Sequence, residues 1–134
     1  MKELSQIRKS IFDHIDNKIT GVSYYHNGRS VFLNAETDLP AICVFIEDVQ
    51  TEEMDLDGMY FDGELAVQVY VKSSLPESSL DELVEKVINK LNNYESDVLD
   101  RFSLSSVTYS NDENHTEWIV GTILYKIGFY RNGA

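Results

Sequence analysis

Leu80, Leu83, Val84, Val87, Ile88 and Leu91 recur at intervals of three and four, which gathers them on one face of a helix. Such a stripe needs an apolar surface to cover, and the residues just before it supply one. Leu65, Val67, Val69 and Val71 alternate with Ala66, Gln68 and Tyr70, so each set takes one face of a strand. A strand that hands over to an amphipathic helix within a few residues constrains the chain to helix-on-sheet packing. The helix start reads at Ser78-Ser79-Leu80-Asp81-Glu82, with Pro76 ahead of it and Ser79 and Glu82 at capping-box spacing. Asp81 and Glu82 in the first turn and Lys86 and Lys90 later suit the helix dipole, and Glu82 can pair with Lys86 one turn on.

The same reading extends along the chain. Leu4, Ile7, Ile11, Phe12 and Ile15 predict an amphipathic helix over 2–18, and Gly21 suits the reversal after it. Residues 22–25 and 30–33 flank His26-Asn27-Gly28-Arg29, and Asn-Gly predicts a hairpin through a type I′ turn. Pro40-Ala41 opens a strand over 42–49, a place where proline's missing N–H is tolerated. Another strand runs from Tyr60 to Val71. A short helical turn is expected around 96–99. Strands at 104–110 and 117–130 enclose Asn111-Asp112-Glu113-Asn114-His115. The last would be roughly 45 Å long if straight, so a bend or bulge is expected near Gly121 or Gly128. The order is α-β-β-β-β-α-β-β. It predicts an α+β fold, a mostly antiparallel or mixed sheet with two helices packed on one face, in a single domain over 1–134.

Charge and composition narrow the function. Asp and Glu number 23 against 11 Lys and Arg, a net charge of −12, while 43% of residues are hydrophobic. That hydrophobic share is too high for a disordered acidic tail. The negative charge argues against direct binding of nucleic acid or of an anionic membrane surface. The one cysteine, Cys43, forms no internal disulfide and reads as a small buried hydrophobe. With no apolar signal core in the first 20 residues and no apolar run near membrane-spanning length, a soluble cytosolic protein is expected.

Catalytic patterns are missing. There is no glycine-rich phosphate loop, no His-Glu-x-x-His and no Gly-x-Ser-x-Gly. His14, His26 and His115 are scattered and lack neighbours at metal-ligand spacing. Asp55-Leu56-Asp57-Gly58 resembles a fragment of a calcium loop but lacks its third oxygen position and its closing Glu. No enzyme activity and no cofactor are expected. Eight acids fall within 47–64: Glu47, Asp48, Glu52, Glu53, Asp55, Asp57, Asp62 and Glu64. No Lys or Arg occurs between Arg29 and Lys72. Such a segment predicts a mobile loop or a hairpin tip. Within it Glu52, Glu53, Asp55 and Asp57 are the candidate partner-binding residues, because loops held on a rigid sheet tend to carry binding groups. Trp118 and eight tyrosines are numerous for a chain of this size; core packing accounts for most of them, and an excess at strand ends would suit a protein–protein surface.

Read in order, four stretches resemble the minor tail protein U family, the tail terminators of lambda-like siphophages. They are the N-terminal helix with Gly21-Val22-Ser23-Tyr24-Tyr25, Asn27-Gly28-Arg29 and Val31-Phe32; then Leu39-Pro40-Ala41-Ile42-Cys43-Val44 with its acidic segment; then Pro76-Glu77-Ser78-Ser79-Leu80-Asp81; and finally Thr108-Tyr109, an acidic turn, Trp118 and the closing strand with Tyr125-Lys126-Ile127. The resemblance spans about residues 4–130. It implies a structural protein that forms a homo-hexameric ring on the tail tube. Such a ring halts addition of the major tail tube protein and presents a surface to the head-completion protein. It implies a place at the head-proximal end of the virion tail and assembly in the host cytoplasm. The net charge adds an expectation of non-specific divalent-cation dependence in assembly. Two alternatives stay open: an acidic inhibitor or nucleic-acid mimic that fills a basic cleft, and a divalent-metal hydrolase built on Asp55 and Asp57.

Overall fold

The computed structural model describes residues 2–29, 38–55, 58–111 and 117–132. Helix α1 (Lys2–Ile15) leads to strand β1 (Tyr24–Asn27), and then come β2 (Ala41–Asp55), β3 (Gly58–Lys72), helix α2 (Glu77–Leu91), β4 (Arg101–Asn111) and β5 (Trp118–Asn132). The five strands form one mixed sheet in the order β1-β2-β3-β5-β4. Only β1 is parallel to its neighbour; the other three pairings are antiparallel. Both helices lie on one face, as their stripes require. Ile7, Ile11 and Ile15 of α1 and Leu80, Leu83, Val84, Val87 and Leu91 of α2 share one core with the strands. The sheet brings Ile42, Val44, Leu65, Val67, Val69, Val71, Ile123, Ile127 and Phe129 to it. The fold is the expected α+β class, and the residues alternating along β3 meet the helices as their period dictates.

Several local expectations give way. The type I′ turn expected at Asn27-Gly28 does not form. Gly28 has φ +127°, but Asn27 has no positive φ, which a type I′ turn demands of both central residues. Tyr24–Asn27 instead pairs in parallel with Ala41–Val44, so the first strand is drawn to β2 over a longer connection. The second strand expected at 30–33 lies outside the described residues. Helix α1 stops at Ile15, and Asn17 takes the left-handed conformation at φ +57°. Helix α2 begins at Glu77, with Pro76 in extended geometry as its cap and no side-chain capping bond. Proline presets the backbone there, which puts Ser79 inside the helix and leaves the capping box unformed. Near residue 96 the chain makes a turn in which the Ser96 hydroxyl accepts from the amides of Val98 and Leu99.

The bend expected in the last strand is not there. β5 stays in unbroken register with β3 from Trp118 to Asn132. The irregularities fall elsewhere, in β2 between Ile46 and Asp48 and between Glu53 and Asp55, and in β4 between Leu104 and Ser106. Among the described residues β4 and the part of β2 beyond Val44 are paired on one side only, and a strand paired on one side absorbs an extra residue more readily than one held on both. Glycine at position 121 has a different use. A Cβ there would come within 2.9 Å of Val84, so the missing side chain lets α2 settle against β5.

Candidate docking surfaces

The acidic segment is the largest departure from expectation. It is not a loop. Asp48–Asp55 pairs with Gly58–Glu64, and Gly58–Glu64 pairs on its other side with Lys126–Asn132. Three strands therefore run out together as an arm, and the hairpin-tip reading is the one that holds. The carboxylates are accommodated because a strand sends successive side chains to opposite faces. Cations come from strands and loops distant in sequence. Arg101 lies 3.7 Å from Asp62, Arg29 lies 3.9 Å from Glu47, and Lys126 stands opposite Glu64 in register. These pairs are solvent-exposed and individually weak. Their role is to relieve repulsion that the local sequence could not.

Of the candidate binding residues, Glu52 and Glu53 are exposed on β2, in register with Tyr60 and Met59. Asp55 ends the strand opposite Gly58, and Asp57 lies outside the described residues. His115 also lies outside them. His14 is an interhelix strut, its Nε2 3.0 Å from the Lys90 carbonyl and its ring edge-on to Tyr94. Cys43 is fully buried. Among the described residues no cluster of His, Cys, Asp or Glu could hold a metal ion, and no helix is long and apolar enough to cross a membrane.

Two features of the arm escaped the sequence reading. Tyr60 and Tyr130 face each other across β3 and β5. A Cβ on Gly128 would overlap the Tyr60 hydroxyl, and one on Gly58 would overlap that of Tyr130. Each ring thus lies diagonally over a glycine of the other strand, and the Tyr60 hydroxyl reaches across to donate to Asp100 at 2.6 Å. The signal was present as a matched pair of Gly-x-Tyr triplets, Gly58-Met59-Tyr60 and Gly128-Phe129-Tyr130. The second feature is β4. This 11-residue strand forms one margin of the sheet, and every residue except Phe102 is exposed. Leu104, Val107 and Tyr109 stand 48%, 40% and 37% exposed. Among the described residues its outer edge has no strand partner, and a long edge of this kind with apolar side chains is a template for another chain.

Hydroxyl chemistry gives these strands a measurable signature. The hydrogen bond to Asp100 and partial burial push Tyr60 up to about 12. Burial and the bond to Asp81 do the same for Tyr109, and burial alone for Tyr125, whose hydroxyl has no hydrogen-bond partner among the described residues. Burial also raises Tyr25, whose hydroxyl bonds both the amide and the carbonyl of Ile19. A raised folded value means the unfolded chain loses these protons first. The stability involved is therefore complete below pH 10 and is lost as pH climbs from 10 toward 12. A late phase of phenolate absorbance above pH 10 is expected, disappearing in denaturant. A folded-state titration that overlays the denatured one would contradict it.

A mixed sheet with an exposed edge strand and an acidic three-stranded arm presents surfaces on which another protein chain can dock. The family model for phage minor tail protein U matches residues 2–129, and the chain belongs to that family. It is 23% identical over 128 residues to the tail tube terminator protein of Escherichia phage lambda, covering 93% of this chain and 96% of the relative. It is 26% identical over 127 residues to the tail tube terminator protein of Escherichia phage N15, covering 92% and 95%.

Proposed function

We propose that this protein ends the growth of a phage tail tube and then joins the tail to the head. The observation that carries the reading is the end-to-end match to the minor tail protein U family and to two proteins named as tail tube terminators. In this reading six copies form a ring at the head-proximal end of the tail, assembled in the host cytoplasm. One face of the ring docks on the last ring of the major tail tube protein through sheet edges, with the open β4 the foremost of them, and through the arm. The other face lacks the groups that recruit a further tube ring and meets the head-completion protein. Growth stops because a site is missing, with no chemical step and no cofactor. A heterologous contact that closes after a fixed number of copies is sufficient for this. Divalent cations promote assembly by screening the acidic subunits.

Genetic complementation tests it. Tails assembled without this protein are expected to exceed normal length and to fail to accept heads, and supplying the wild-type chain should restore both. Normal tail length with heads attached in its absence would end the terminator reading. The acidic inhibitor would then be the better account, since the acids of the arm sit on paired strands, the kind of surface a basic cleft could recognise.

A further inference from the structure

The helix layer carries a groove opposite in character to the arm. It lies between the segment that follows α1 and the C-terminal half of α2, with the buried Ile19 beside Lys18, Lys86, Lys90, Asn89 and Asn93, and none of its lining residues is acidic. It is open to solvent and has a volume of about 370 Å³. Three of the eleven cations of a −12 chain are collected here. Lys86 donates to the Thr20 carbonyl at 3.1 Å and pairs with Glu82 at 3.3 Å, and Lys18 donates to the Asp13 carbonyl at 3.2 Å. An ammonium has three N–H donors, so capacity is left over. The Lys90 ammonium has no ion-pair or hydrogen-bond partner among the described residues. Lysines and asparagine amides turned toward one concavity are donors suited to carboxylates.

The arm of the same copy cannot reach this groove. The segment from Thr20 leads within three residues to Ser23, whose amide bonds to the Pro40 carbonyl at the start of β2. Glu52 lies eleven residues further along β2 than Ala41, roughly 35 Å at about 3.3 Å per residue. The arm is also held to its own sheet by two ladders. Acidic arm and basic groove are therefore complementary surfaces that only two different copies can bring together. We propose that the groove receives the acidic arm of a second copy edge-on along β2, so that Glu52 and Glu53, on opposite faces of the strand, meet Lys18 on one side of the groove and Lys90 on the other. Each copy gives its arm to one neighbour and takes the arm of the other, a head-to-tail contact of the kind that closes a ring. The proposal rests on the ring reading above and specifies how neighbouring copies meet.

Charge exchange tests it by analytical ultracentrifugation. One variant carries Glu52→Lys and Glu53→Lys; the other carries Lys18→Glu and Lys90→Glu. All four positions are at the surface or partly so, and circular dichroism checks that both variants fold. Under conditions where the wild-type chain sediments as a ring, each variant alone should associate at least about tenfold more weakly and sediment as a monomer. An equal mixture should recover the ring, because every reversed arm then finds a reversed groove. Rings formed by either variant alone, or a mixture that stays monomeric, would overturn the contact while leaving the ring reading intact. A wild-type chain that stays monomeric in every salt would overturn both.

Discussion

Phe129→Ala is expected to cost about 3–5 kcal/mol, a large part of the roughly 5–15 kcal/mol that holds a domain of this size together. Phe129 is 1% exposed and stacks on Phe61, ring centroids 4.9 Å apart and planes 6° from parallel. The two residues face each other across β3 and β5 midway along the arm. Two residues on, Arg131 pairs with Glu3 of α1 at 3.3 Å, so the truncation opens a cavity where arm, core and first helix converge. Urea unfolding measures the loss, and faster amide exchange along Gly58–Glu64 should accompany it. Thr108→Ala on the exposed β4 edge is the control, expected within about 0.5 kcal/mol of wild type. A Phe129→Ala cost below about 1 kcal/mol would mean that the aromatic stack does not anchor the arm.

The second large effect is on assembly. In the proposed ring six copies at −12 would carry −72 before counterions, so such a ring should be unstable in dilute buffer and form when cations are added. Screening acts over about 10 Å at 0.1 M ionic strength and about 3 Å at 1 M. Millimolar magnesium or moderate salt should therefore remove the long-range repulsion while sparing close contacts. Molar monovalent salt should weaken the arm-to-groove pairs and return the protein toward monomer. Sedimentation as a function of salt would show a maximum in ring population between these limits. A profile that is flat from dilute buffer through millimolar magnesium would count against electrostatic control of assembly.

The elements that were legible in the sequence are those whose residues state their own environment. The stripe from Leu80 to Leu91 and the alternation from Leu65 to Val71 each carry a period that only one backbone conformation can turn into a single apolar face. From them follow the helices, the inner strands and the side of the sheet that is covered. The sequence left the acidic segment open between a mobile loop and a hairpin tip because the cations that temper it, Arg29, Arg101 and Lys126, lie in other parts of the chain. Asn27-Gly28 was misjudged because a two-residue turn signal cannot weigh itself against a parallel partner fourteen or more residues away. Glu52 and Glu53 were singled out as candidates from the run of acids alone, and their place on a paired strand came only with the structure.

The sequence by itself determined the α+β class, the two amphipathic helices, their common sheet face and the family to which the chain belongs. These rest on local periodicity and on the order of motifs, both of which survive without knowledge of the third dimension. Only the tertiary structure decided that β1 runs parallel to β2, that three strands extend together as the arm, that β4 lies at the margin of the sheet, and that Lys18 from the segment after α1 shares one groove with Lys86 and Lys90 of α2. Each of these is a relation between residues far apart in the chain. Long-range pairing, register and charge compensation are set by which surfaces fit when the core closes, and no single stretch of sequence records that outcome.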